Sequence, residues 1–244
     1  MLRKQINKIS KKQKAEILAR AQDWMRNNII DQHIKNTKKL SSLDELTINP
    51  FLWAYLANFY CGNSSAESKA VVAILPRILG TSIATTFGTA MQSFITTVMD
   101  ESYGSGIKGI DIEYIDCVDG RKKYCQVKSG PQALNRDDVK TISDHFKDLK
   151  NLARTNHLPL QTNDMVFGLL YGEKGEENSF VKELANDYTV FMGQEFWFRM
   201  TGDKNFYRDL INSMSEVAEE VDSRAIIEDT ISKLADDIKK REIK

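Results

Sequence analysis

Residues 109–131 read GIDIEYIDCVDGRKKYCQVKSGP, and this stretch decides the fold because it is a hairpin by its own grammar. Residues 110–116 and 123–129 are β-rich runs of alternating character, and Asp119-Gly120 between them is a dipeptide that favours a two-residue type I′ turn. Such a loop would pair Val118 with Arg121. Counting outward then sets Tyr114 opposite Cys125, Glu113 opposite Gln126 and Asp111 opposite Lys128. Paired residues share a face, so one face carries Asp111, Glu113, Gln126 and Lys128. The other carries Ile110, Ile112, Tyr114, Cys125 and Val127, a core face by composition.

Directly opposed side chains lie about 5 Å apart at Cβ. Two carboxylates, an amide oxygen and an ammonium gathered so closely suit a hard divalent cation such as Mg²⁺, which takes oxygen ligands and keeps waters for a phosphate-bearing substrate. Lys128 would then stand beside the metal-bound water. The same alternation also fits an exposed strand face with a cross-strand Asp/Lys pair, which is worth little. A bulge slipping the pairing by one residue would turn Glu113 away. The second acidic ligand would then come from the helix before the hairpin or from the loop around Asp100 and Glu101.

Asp111, a hairpin and then Gln126-Val127-Lys128 resembles the signature of the PD-(D/E)XK nuclease superfamily, in which an Asp on one strand and a (D/E)xK triplet on the next build a metal site. The continuation Ser129-Gly130-Pro131, with Asn135 and Asp137 soon after, is similar to type II restriction endonucleases. Ile74-Leu75-Pro76-Arg77, Gly193-Gln194-Glu195-Phe196-Trp197 and Thr201-Gly202-Asp203 resemble the group that cuts sites built around GGNCC. The resemblance spans residues 45–220. Two features depart from the superfamily pattern: no Pro precedes Asp111, and Gln126 stands where the triplet has an acid. The second removes a negative charge, although some active members are similar in carrying Gln here and Glu113 can restore the charge. The resemblance implies that Asp111, the Gln126 oxygen, the Val127 carbonyl and Glu113 hold Mg²⁺. It implies that Lys128 orients or deprotonates the attacking water, and that a phosphodiester is hydrolysed with metal assistance.

The rest of the chain holds and aims the hairpin. Its 244 residues, 41% hydrophobic and 28% charged, suit one soluble globular domain with helical additions. The 34 basic residues balance the 34 acidic ones, but basic side chains (Arg3, Lys4, Lys8, Lys11, Lys12 and Lys14 among them) crowd the first forty positions, as a DNA-facing or a solvated helix face would. Cys61, Cys117 and Cys125 lack metal-ligand spacing and read as reduced thiols. His33, His145 and His157 are too scattered for a triad or a zinc site. The apolar run at residues 70–75 is short of a membrane span and no signal-peptide pattern opens the chain, so a cytoplasmic protein without membrane association is expected.

Helical spacing marks residues 1–40, where Ile6, Ile9, Ile17, Leu18, Ala21 and Trp24 recur, and a second helix from Phe51 that ends before Gly62. A third, capped near Ser65, should be kinked or ended by Pro76. Residues 81–99 read as one helix before the hairpin, and 137–154 as one after it. Residues 165–172 form a nearly continuous apolar run, as a strand buried on both faces does, and 188–192 are its neighbour. The chain is helical from Glu195, with an amphipathic tail over 223–244.

The expected fold is α/β, a central mixed β-sheet flanked by helices around an αβββαβ core with extra N- and C-terminal helices. It forms one domain: residues 1–62 as an N-terminal helical elaboration, 81–193 as catalytic core and 194–244 as C-terminal helical part. With the resemblance, this implies a bacterial or archaeal Mg²⁺-dependent type II restriction endonuclease acting on double-stranded DNA as a homodimer. A structure-selective repair or junction nuclease and an inactive DNA-binding module are the alternatives.

Overall fold

The computed structural model describes residues 8–91, 93–99 and 103–242. Arg3, Lys4 and Ile6, named above, lie outside these residues, as do Asp100 and Glu101. The chain forms two compact units, one built on the residues up to Trp24 with Met91–Ser215 and the other on Met25–Ala90 with the residues from Glu216. In chain order the helices and strands are α1 (Lys11–Trp24), α2 (Asp31–Lys39), α3 (Pro50–Cys61), α4 (Ala66–Pro76), α5 (Ser82–Ala90), α6 (Phe94–Val98), β1 (Ile112–Ile115), β2 (Lys122–Lys128), α7 (Arg136–Thr155), β3 (Met165–Leu169), α8 (Ser179–Leu184), β4 (Thr189–Met192), α9 (Gly193–Thr201), α10 (Phe206–Glu219) and α11 (Arg224–Glu242).

The first unit is organised by a four-stranded mixed sheet in the order β1-β2-β3-β4. β1 runs antiparallel to β2, and β3 and β4 continue in parallel. A single antiparallel bridge from Gly104 to Ile112 adds to the outer edge of β1. This is the mixed α/β sheet the sequence reading expects. β3 is buried at every position because helices cover both faces. On one face Ile142, Phe146 and Leu149 of α7 pack with Phe167, Leu169, Val181 and Leu184. On the other, Tyr114 and Trp197 meet Phe196 edge-on, and a Cβ on Gly168 would come within 2.5 Å of the Phe196 ring. Glycine at that position allows the helix to approach the sheet. The crossover helix α7 begins with a capping box, the Asn135 side chain accepting from the Asp138 N–H and the Asp138 side chain from the Asn135 N–H.

The hairpin register differs from the count made on a two-residue turn. Glu113 faces Tyr124 and Tyr114 faces Lys123. The connection is longer because the Asp116 N–H bonds the Arg121 carbonyl at 2.9 Å, leaving residues 117–120 as the loop. Tertiary anchors select it. The buried Asp116 accepts from Arg199 Nη1 at 2.9 Å and from the Val118 N–H at 2.8 Å, while the Cys117 N–H bonds the Arg199 carbonyl at 2.9 Å. These bonds outweigh the local preference of Asp119-Gly120 for a tighter turn. The slip is an even one, so alternation still puts Glu113, Gln126 and Lys128 on one side of the hairpin.

The second unit is helical. Ala70 and Ile74 of α4 pack against Leu234, Ala235 and Ile238 of α11. Asn49 caps α3, its side chain accepting from the Phe51 N–H, and Gly62 at φ 77° closes it. Pro76 is the last residue of α4, where the sequence reading expected a kink or an end. The missing N–H is absorbed by a π-helical turn over Arg77–Thr81, and α5 follows directly. The resulting helix, Ala66–Ala90, has 25 residues and passes a membrane-crossing test on length and composition. Ala70, Ile74 and Ile78 on it are buried, but only 17% of its most apolar stretch is. The expected helix over 81–99 is interrupted between α5 and α6.

Candidate active site

The site lies where β1 parts from β2. The Asp111 N–H bonds the Cys125 carbonyl at 3.0 Å, one step out of the regular ladder. The next N–H along that edge of β2, from Val127, donates to Asp111 Oδ2 at 2.7 Å. Backbone groups of successive residues point to opposite edges of a strand. The Val127 carbonyl therefore faces the same open edge, whereas the Lys128 carbonyl turns toward β3 and accepts from the Leu170 N–H at 3.2 Å. Asp111 keeps an exposed edge, but desolvation of its carboxyl raises it above the ordinary carboxylate range, against the opposing influences of the Val127 N–H, Lys128 and His145.

Lys128 projects from the end of β2 and donates to Asp138 Oδ1 at 2.9 Å. Burial would raise Asp138, but the Asn135 N–H and the Lys128 ammonium outweigh it and lower its carboxyl. Gln126 is buried, and both ends of its amide are used: Nε2 donates to the Ile142 carbonyl at 3.1 Å, and Oε1 lies 3.0 Å from His145 Nδ1. The Glu113 carboxylate is held by Ser105 Oγ at 2.6 Å and by Lys122.

A family model described as type II restriction endonuclease EcoO109I matches residues 19–222. The chain belongs to this restriction endonuclease family. Among curated proteins none matches it. The match spans the hairpin, α7 and the whole sheet.

Set against that family, the site departs from the sequence reading in two ways. Glu113 does not lie opposite Gln126, and its oxygens are bound elsewhere. One lone pair of the Gln126 oxygen is taken by His145. Among the described residues no group of three or more His, Cys, Asp and Glu side chains converges as a metal cage. A hydrated Mg²⁺ needs less, since one or two carboxylates with substrate phosphate and water suffice. Asp111 and the Val127 carbonyl, side by side at one edge, fit that requirement. Three residues in contact with this edge or its neighbours had no part in the sequence reading of the site. They are Asp138, His145, whose ring the sequence reading sets aside because the histidines are scattered, and Gly109 at φ 80°. The helical spacing of Asp138, Ile142 and His145 on α7 was the available signal.

Proposed function

We propose that this member of the family is an active, divalent-metal-dependent endonuclease that cuts both strands of duplex DNA at sites built around GGNCC, working as a homodimer. The observation that carries this reading is the Asp111 carboxylate bonded to the Val127 N–H immediately before Lys128. Asp111 and the Val127 carbonyl would hold the cation, with the unshared lone pair of Gln126 Oε1 as a further donor. Bound there, Mg²⁺ would supply Lewis-acid stabilisation of charge on the scissile phosphate. Asp138 keeps the Lys128 ammonium within reach of the same edge, where it would orient the attacking water and offset phosphate charge. Two copies related by a two-fold axis would present one such site to each strand of a palindromic target.

Digestion of phage DNA by the purified protein tests this. Discrete fragments are expected with Mg²⁺ and none in EDTA, with ends that sequence to one target. A smear or branched-substrate cutting would replace the reading with a structure-selective nuclease, and intact DNA would replace it with a binding module. Asp111→Ala and Lys128→Ala are each expected to abolish cleavage while specific binding stays within roughly tenfold, because most affinity comes from phosphate contacts elsewhere.

A further inference from the structure

Gln126 is where an acid of the metal site was expected, yet its side chain is built into a brace. The acceptor at one end of the amide is a backbone carbonyl, that of Ile142, which can only accept; this fixes the amide nitrogen there and turns Oε1 toward His145. An oxygen that accepts requires the proton on His145 Nδ1. The imidazole is confined on its other side. A Cβ on Gly109 would lie 2.3 Å from its Cγ, so the backbone two residues before Asp111 passes directly against the ring. Helix α7 therefore touches the site at three places: Asp138 on Lys128, His145 with Ile142 on Gln126, and His145 on the approach to Asp111.

We propose that His145 is a positioning residue of the cleavage site, donating Nδ1–H to the Gln126 amide and packing on Gly109 so that β2 and the Asp111 strand keep their mutual placement. The inference rests on the nuclease reading above and deepens it. Gln126 acts mainly as the link between α7 and the Val127-Lys128 segment, and His145 acts through Gln126 and Gly109 without touching DNA. Misplacement of a catalytic group by about 1 Å costs about 100-fold in rate, so the brace is expected to appear in turnover and not in affinity.

The test compares His145→Phe, which keeps a ring over Gly109 but has no donor, with His145→Asn, whose amide nitrogen can replace Nδ1. Single-turnover cleavage of a GGNCC-site duplex is expected to fall about 100-fold in the Phe variant and to recover to within about fivefold of wild type in the Asn variant, with the dissociation constant for DNA unchanged in both. Gly109→Ala, which displaces the ring, is expected to match the Phe variant. The metal-free wild-type protein gives a readout independent of cleavage: nitrogen NMR should show the His145 imidazole protonated at Nδ1. Protonation at Nε2 alone, or wild-type cleavage by His145→Phe, overturns the proposal. Wild-type protein that cuts no DNA while His145 carries the Nδ1 proton instead overturns the nuclease reading and, with it, the positioning role.

Discussion

Glu113 shows how much a single residue's role depends on its partners. Its carboxylate is held by Ser105 on one oxygen and by Lys122 on the other, and it faces Tyr124 in place of Gln126. Glu113→Gln is therefore expected to keep Mg²⁺-dependent cleavage within about threefold of wild type, because only an ion pair with an exposed lysine is lost and such pairs contribute roughly 0–1 kcal/mol. A hundredfold loss of turnover in a steady-state assay would instead place Glu113 at the metal site. The closeness of Asp111 to the Val127-Lys128 segment was legible from sequence because a hairpin brings its two flanks together. His145 was not, since its meaning lies in a contact across nineteen residues of chain that no local pattern encodes.

Elements defined by local composition were the ones read correctly. The buried apolar run became β3, the alternating hairpin became β1 and β2, and the strong amphipathic pattern around Phe146 became α7 with its cap at Asn135. What failed was a feature settled by tertiary bonds: the hairpin loop, set by Asp116 and Arg199. The foot of β2 illustrates the energetics. Lys123 is fully buried, and its ammonium reaches Asp119 at 2.6 Å and Asp164 at 3.1 Å, while Arg121 binds Asp164 through two nitrogens. Burial would raise the Asp164 carboxyl, but Arg121, the Gln161 N–H and Lys123 outweigh it and hold it at about 2. A carboxyl lowered on folding stabilises the protein above its unfolded value near 4, and that contribution is lost as pH falls toward 2. Asp164→Asn is thus expected to destabilise the protein by about 3 kcal/mol at neutral pH, since it leaves Lys123 buried with one carboxylate. Below pH 3 the difference should shrink. Urea melts at pH 7 and pH 3 read both, and an equal loss at the two pH values would mean that shape, not charge, matters at this position.

At the scale of the molecule, the resemblance that pointed to the family runs through scaffold as much as through chemistry. Ile74, Phe196 and Trp197 are core side chains, and Gly202 closes α9 in a left-handed conformation. What the scaffold leaves uncovered is equally specific. In the helical unit, α3 exposes Phe51 (89%), Leu52, Tyr55, Leu56, Phe59 (74%) and Tyr60, two stripes at helical spacing beside a groove of about 500 Å³ that Val72, Leu75 and Leu79 also line. Four aromatic side chains of roughly 150 Å² each approach the roughly 800 Å² per partner of a standard interface. Monomeric proteins rarely leave so large a contiguous patch in water. Under the proposed palindromic target a second copy of the chain would be the occupant, and a two-fold axis across α3 would pair this surface with itself. Phe51→Glu combined with Phe59→Glu is expected to convert a dimer into a monomer in sedimentation at micromolar protein without unfolding it, as both rings lie outside the core. Cleavage would then pass from linear to nicked plasmid, since each monomer carries one site. A wild-type chain that sediments as a monomer both free and on DNA, or a double mutant that still dimerises and linearises plasmid, would remove α3 from the interface.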